Sequence, residues 1–151
     1  MLELKLPPLA LAAVLAAAMW LVGRLAPSLD FSFPGHRLVV TAAAVMGMLI
    51  GIAGVLAFRR ARTTVDPRFP ARAEALVIGG IYRVSRNPMY VATLLLLTAW
   101  AMHVANLLAV LALPAFVLYL NRFQIVPEER ALLAKFGSQY LEYQRTVRRW
   151  L

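Results

Sequence analysis

Most residues of this chain that could do chemistry fall into a few short blocks: Thr63-Thr64, Gly79-Gly80-Ile81-Tyr82-Arg83, Arg86-Asn87-Pro88-Met89-Tyr90 and Glu128-Glu129. The paired glycines let a loop pass close to another backbone or to a ligand. Asn87 before Pro88 reads as a helix start, with asparagine as cap and proline at the first helical position. Free N–H groups and positive potential at such a start, reinforced by Arg83 and Arg86, suit a carboxylate or phosphate. Pro127-Glu128-Glu129 reads as a second helix start, with two acids where the helix dipole favours them. Each block also has a plain reading. Arg83 and Arg86 would touch lipid phosphates, Asn87-Pro88 would only start a helix, and Glu128-Glu129 would only cap one.

Several chemistries are excluded. The chain has no cysteine, which rules out disulfides, cysteine nucleophiles and thiolate metal sites. His36 and His103 stand far apart, and no metal-binding cluster, glycine-rich phosphate loop or nucleophile–histidine pair is present. No metal is therefore expected. What remains is an amphiphilic site where a soluble zwitterionic or anionic ligand could meet something held in a bilayer.

The elements that must position this site are membrane helices. A chain of 151 residues that is 62% hydrophobic and 15% charged cannot cover its apolar surface in one soluble core. Of its 16 Lys and Arg, seven lie between Arg59 and Arg86 and six between Arg122 and Arg149. Basic residues confined to the ends of apolar blocks mark cytoplasmic loops beside anionic lipid, so the net charge of +9 points to a membrane and not to nucleic acid.

Leu6 to Gly23 carries no charge over 18 residues and suits a first span; a signal peptide is the competing reading, weakened by Glu3 and by the length of the run. Pro27, Ser28, Asp30, Pro34 and Gly35 make a turn. Leu38 to Phe58, 21 residues without a charge, is the clearest span, and Gly47, Gly51 and Gly54 share one face of it for close helix packing. Asn87 to Asn121 is uncharged over 35 residues, about 50 Å as one helix against a core of about 30 Å. It is expected to fold back near His103 and Asn106 as a hairpin, Pro88 to about Met102 and Leu107 to about Ile125, with Pro114 kinking the second arm. A soluble helix should start at Pro127 and stop at Gly137. Ser138 would cap a last helix carrying Tyr140, Tyr143 and Val147 on one side, with Arg145, Arg148, Arg149 and Trp150 against the headgroups. The expectation is an all-α integral membrane protein of about four transmembrane helices plus cytoplasmic C-terminal helices, in one domain over 1–151 whose residues 1–58 hold two spans. The basic blocks place both termini and the site in the cytoplasm of a bacterial-type inner membrane.

The stretch Gly80-Ile81-Tyr82-Arg83-Val84-Ser85-Arg86-Asn87-Pro88-Met89-Tyr90, then Glu128-Glu129, Phe136-Gly137-Ser138-Gln139-Tyr140-Leu141-Glu142-Tyr143 and Val147-Arg148-Arg149-Trp150, resembles the isoprenylcysteine carboxyl methyltransferase and phospholipid methyltransferase superfamily. The resemblance covers roughly residues 59 to 151, the methyltransferase core. It departs from the family pattern at Asn87, where histidine is common, and at Ala92, where glycine often stands.

The resemblance implies an S-adenosylmethionine pocket between the hairpin and the C-terminal helices, with a lipid or small hydrophobic acceptor entering from the membrane. Carried onto this chain, the cofactor-binding candidates are Gly80, Tyr82, Arg83, Arg86, Asn87, Pro88, Tyr90, Glu128, Glu129 and Tyr140. Arg83, Arg86 and the helix start would take the cofactor carboxylate, Glu128 or Glu129 the ammonium or ribose, and Tyr82, Tyr90 and Tyr140 the flat or apolar parts. Arg86, Asn87 and Glu129 are the catalytic candidates, Glu129 as a base if the acceptor is an amine. The alternative is a non-catalytic membrane subunit that keeps the fold and binds another ligand or a partner.

Overall fold

The computed structural model describes residues 3–61 and 75–151, which are mainly helical and contain no strand, only an isolated bridge between Asp30 and Asn106. Thr63-Thr64 and part of the first basic block lie outside these residues. Helix α1, Pro8–Leu25, opens with proline at its first position, where the absent N–H costs no helix bond. Helix α2, His36–Arg60, follows Gly35, whose φ of 82° suits a residue without Cβ.

Helix α3, Pro88–Val104, packs along α2 through the glycine face. A Cβ on Gly47 would stand 3.0 Å from the Ala92 carbonyl oxygen, and one on Gly54 would stand 2.9 Å from Met89 Cγ. Small residues bring the two backbones together where burial of oil against oil gives no drive, so dispersion contacts hold the pair.

The hairpin turns at Ala105, which adopts φ 54°, and Asn106, whose side chain accepts from the Leu108 N–H at 3.0 Å and caps the return. The return runs through α4, Leu107–Val110, and α5, Ala112–Tyr119, with the break at Leu111. Pro114 has no N–H for the Val110 carbonyl, which places the break in the turn before it.

Beyond α5 the structure differs from the expected fresh start at Pro127. A π-helical turn, Leu120–Ile125, leads straight into α6, Val126–Thr146, and the junction residues keep helical dihedrals. A proline inside a helix removes one bond and crowds the carbonyl four residues back; the wider turn ahead of Pro127 accommodates it without ending the helix. At Gly137 (φ 52°, ψ −125°) the backbone leaves helical geometry, so α6 consists of two helical segments that meet at a kink where the stop was expected. Val147 is extended, so it does not continue the Tyr140 and Tyr143 face; residues 147–150 fold back towards Ser85–Asn87.

Three helices among the described residues are long and apolar enough to cross a membrane: α1, α2 and the rod Leu107–Thr146, whose apolar part ends at Ile125. Helix α3, an apolar helix of 17 residues, is shorter than these three and forms the first arm of the hairpin. Leu9, Leu25, Leu38, Leu49 and Ile52 are exposed on the outer faces, which suits hydrocarbon and not water. The interior is built from Met19, Leu97, Ala101, Ala109, Phe116 and Leu120, and Trp100 donates its indole N–H to the Ala16 carbonyl at 2.9 Å.

The two ends of the bundle differ. At one, the turn after α1 meets the hairpin turn: Phe31 N–H donates to the Ala105 carbonyl at 2.8 Å, the Asn106 amide donates to Asp30 Oδ1 and the Ala26 carbonyl, both at 2.8 Å, and His36 bonds the Met102 carbonyl. At the other lie Glu3, the end of α2, the start of α3, α6 and the C-terminal residues.

Candidate functional site

The site grows from the start of α3. A 3-10 turn, Gly80–Arg83, begins with Gly80 at φ 61° and turns Tyr82 inward, where its ring meets Phe58 of α2 edge-on at 5.5 Å. Asn87 precedes α3, yet its side chain does not cap the helix as expected. Its amide Nδ2 instead donates to the Arg149 carbonyl at 3.0 Å, while the Asn87 N–H donates to Ser85 Oγ at 3.1 Å. The returning C-terminal residues offer that acceptor, and the short Asn side chain reaches it. Pro88 is buried at the first helical position.

Arg86 joins the two halves of the chain. Its backbone N–H donates to the Arg148 carbonyl at 2.9 Å. Nη1 donates to the Val147 carbonyl at 2.6 Å and the Gln144 carbonyl at 3.2 Å, and Nη2 to Glu129 Oε1 at 2.8 Å. Arg149 closes on the same carboxylate, Nη2 to Oε2 at 2.6 Å and Nε to Oε1 at 3.1 Å. Arg86 and Glu129 are 11% and 12% exposed. Arg86 Nε is buried with no hydrogen-bond partner among the described residues.

The two adjacent acids sit in opposite surroundings, both beyond the apolar part of the rod. Glu128 accepts from neutral donors, the Tyr90 hydroxyl at 2.6 Å and the Gln124 amide. Burial pushes its carboxyl up to about 7, against the opposing pull of those two donors. Burial would raise Glu129 too, but the bonds and charges of Arg149 and Arg86 outweigh it and hold that carboxyl below the ordinary value. Tyr140, 2% exposed, has its hydroxyl pushed up to about 12, chiefly by burial and then by the nearby Glu129 charge. The Tyr143 hydroxyl donates to the Tyr82 carbonyl at 2.7 Å.

A groove of about 380 Å³ is lined by Ala53, Leu56 and Arg60 of α2 and by Gly79, Gly80 and Ile81, so that Gly80 alone of the candidate residues lines it. Its size lies within the range of roughly 300–1,000 Å³ usual for small-molecule sites. Arg86, Glu129, Glu128, Tyr90 and Asn87 are thus linked through hydrogen bonds at one end of the bundle, with Tyr82 and Tyr140 buried in the same region. Arg83 is exposed and forms no ion pair among the described residues. Sequence reasoning missed Arg149, Gln124 and Ser85 as parts of the cluster. Arg149 was assigned to headgroups because an arginine beside tryptophan at a membrane edge gives no sign of an acid twenty residues earlier. The four-residue spacing of Gln124 and Glu128 was readable only once the helix was known to run through Pro127.

A protein of Haemophilus influenzae, described as uncharacterized, is 48% identical over 63 residues, which are 42% of this chain and the whole of that protein. No solved structure matches. The sequence model for phospholipid methyltransferase matches residues 36–139, from the start of α2 through the hairpin, the two acids and the Gly137 kink. The match spans more than half of the sequence and includes Arg86, Asn87, Glu128 and Glu129, and the chain belongs to the phospholipid methyltransferase family.

Proposed function

We propose that this chain is an integral membrane methyltransferase that moves a methyl group from S-adenosylmethionine to a lipid or small hydrophobic acceptor at the cytoplasmic membrane face. The observation that carries this reading is Arg86, in a chain of this family, with both Nη groups engaged and a buried Nε left without an acceptor. A buried N–H without a partner calls for one, and a ligand carboxylate would supply it. The other residues fit the same cofactor: Gly80 for close backbone approach, Tyr82, Tyr90 and Tyr140 as aromatic walls, and the groove beside Gly79-Gly80 for the remaining bulk.

When bound, S-adenosylmethionine supplies an electrophilic methyl group. The protein's part is then alignment and exclusion of water. Arg86 and Arg149, locked by Glu129, present a fixed positive edge. Glu129, expected as the base, is held ionised in that clamp and acts in this reading as the residue that positions both arginines. Glu128, bonded to neutral donors and titrating near neutrality, is better suited to take a proton from an ammonium acceptor. A carboxylate acceptor needs no base, only removal from water. Arg59, Arg60, Arg122 and Arg130 lie at the site's end of the bundle, which supports a cytoplasmic orientation.

Calorimetric titration of S-adenosylmethionine into detergent-purified protein tests the reading. Binding is expected. Arg86→Lys keeps the charge but loses Nε and the fork, and is expected to weaken binding about tenfold or more, the size of one charge-assisted hydrogen bond of roughly 1.5–3 kcal/mol. The exposed Arg145→Ala should leave affinity unchanged. The second reading, a non-catalytic membrane subunit, draws on the bonds from Arg86 to the Gln144 and Val147 carbonyls, which a purely structural clamp would also make. No binding by the folded wild-type protein would select it.

A further inference from the structure

The segment before α1 reaches the site from the far end of the sequence. Pro127 has no N–H to give the Phe123 carbonyl four residues back, and the Leu4 N–H donates to that carbonyl at 3.0 Å. Leu4 does so with φ 57°, a conformation unfavourable for a side chain with a Cβ and retained here beside this contact. Glu3 adds a two-oxygen fork to Arg130 Nη2, at 2.9 and 3.0 Å, and lies 3.6 Å from Arg122 Nη1. These contacts bridge the π turn and the start of α6: Arg122 and Phe123 lie within the turn, and Arg130 lies two residues beyond Glu128.

The residue after Phe123 is Gln124, 1% exposed, whose amide donates to the Glu128 carboxylate. A π turn alters which side chains share a face, since each of its bonds spans five residues in place of four; here the Val126 N–H bonds the Asn121 carbonyl. The aim of Gln124 therefore depends on the turn keeping its shape, and a proline stands two residues after it.

We propose that Glu3 and Leu4 form a clip that holds the π turn and so positions Gln124 on Glu128, making the segment before α1 a positioning element of the site. The clip goes beyond the methyltransferase reading and does not need it to be tested. Besides Gln124, the groups facing Glu128 are Tyr90 from α3, Tyr82 from the 3-10 turn, Tyr140 from the far half of α6, and Glu129 beside it, itself held by Arg86 and Arg149. Among the described residues, the hydrogen bonds and ion pairs of Glu3 and Leu4 go to Phe123, Arg122 and Arg130 and to none of these groups.

The direction of the effect follows from the Gln124 bond. Its amide favours the ionised carboxylate, so loosening that bond moves the Glu128 titration to higher pH. The measurement is an infrared titration of the detergent-purified protein, following the band of a protonated carboxyl group that disappears in Glu128→Gln. Leu4→Pro removes the donor and cannot adopt the positive φ. It is expected to raise the Glu128 midpoint by about one pH unit, a tenfold change in proton affinity. Glu3→Ala should shift it in the same direction by less. Adding Pro127→Ala to Leu4→Pro returns an N–H to Phe123 from within the helix and should recover much of the shift.

An unchanged Glu128 midpoint in folded Leu4→Pro protein would overturn the proposal, even with a lower melting temperature, because it would show that the clip only anchors its own segment. Failure of Pro127→Ala to restore the midpoint would also overturn it. Absence of S-adenosylmethionine binding would leave this titration readable and would count only against the proposed activity.

Discussion

The two ends of the bundle are each tied by buried polar contacts, but by different means. At the hairpin turn, Asn106 is fully buried and divides its bonds among Asp30, the Ala26 carbonyl and the Leu108 N–H, an arrangement that joins two turns. At the other end three charged side chains, Arg86, Glu129 and Arg149, crowd together beside a second acid, with a buried donor left over. The one charged partner at the hairpin turn, Asp30, is exposed, so the two turns are joined at small desolvation cost. Gathering charges inside a protein is expensive and seldom the most stabilising solution, which is a reason for proposing the ligand site at the second end.

The comparison would break most visibly at Glu129. Glu129→Ala leaves two guanidinium groups facing each other with no acid between them and is expected to cost about 3–5 kcal/mol, read as a large fall in the thermal unfolding midpoint in detergent. Adding Arg86→Ala should recover part of that loss. If Glu129→Ala unfolds no more readily than wild type, the clamp is not holding the C-terminal residues.

A pH series sharpens the contrast between the neighbouring acids. The raised Glu128 carboxyl contributes stability that is present below its ordinary value of 4.5 and is lost as pH rises through about 7. The depressed Glu129 carboxyl works the other way: its contribution is present above the ordinary value and is lost as pH falls through its lowered one. Glu128→Gln should therefore flatten the decline of the unfolding midpoint between about pH 5 and pH 7 and leave the acid-side loss in place. A slope unchanged by Glu128→Gln would mean that another group titrates there.

At the turn end the expected effect is smaller and purely structural. Asn106→Ala removes the ties to Asp30 and Ala26 together with the cap on α4, and should cost about 1–3 kcal/mol. Ligand affinity of the folded protein should not change. A loss of affinity there would show that the two ends are coupled through α3.

The hairpin illustrates what was legible in the sequence. A run of 35 uncharged residues is too long for one crossing, and His103 and Asn106 are the polar residues nearest its middle, so a fold-back there followed from length and polarity; that Asn106 caps the return is seen only in the structure. The glycine face of α2 was legible for the same reason, because spacings of four and three put Gly47, Gly51 and Gly54 on one side whatever they meet. Pro127 is not the boundary its residue type suggests, because a widened turn before it lets the helix run on, whereas at Gly137 the positive φ breaks helical geometry where the sequence places a stop.

The sequence alone therefore determined the apolar segments, their approximate ends and the fold-back, all properties of neighbours along the chain. Only the tertiary structure decided which of several arginines meets Glu129, that Asn87 bonds the Arg149 carbonyl and does not cap α3, and that Leu4 reaches Phe123. Sixteen basic residues offer many equivalent partners for one acid, and composition does not distinguish them. The choice falls to whichever pair the returning chain brings out of water together, where the unpaired alternatives cost most.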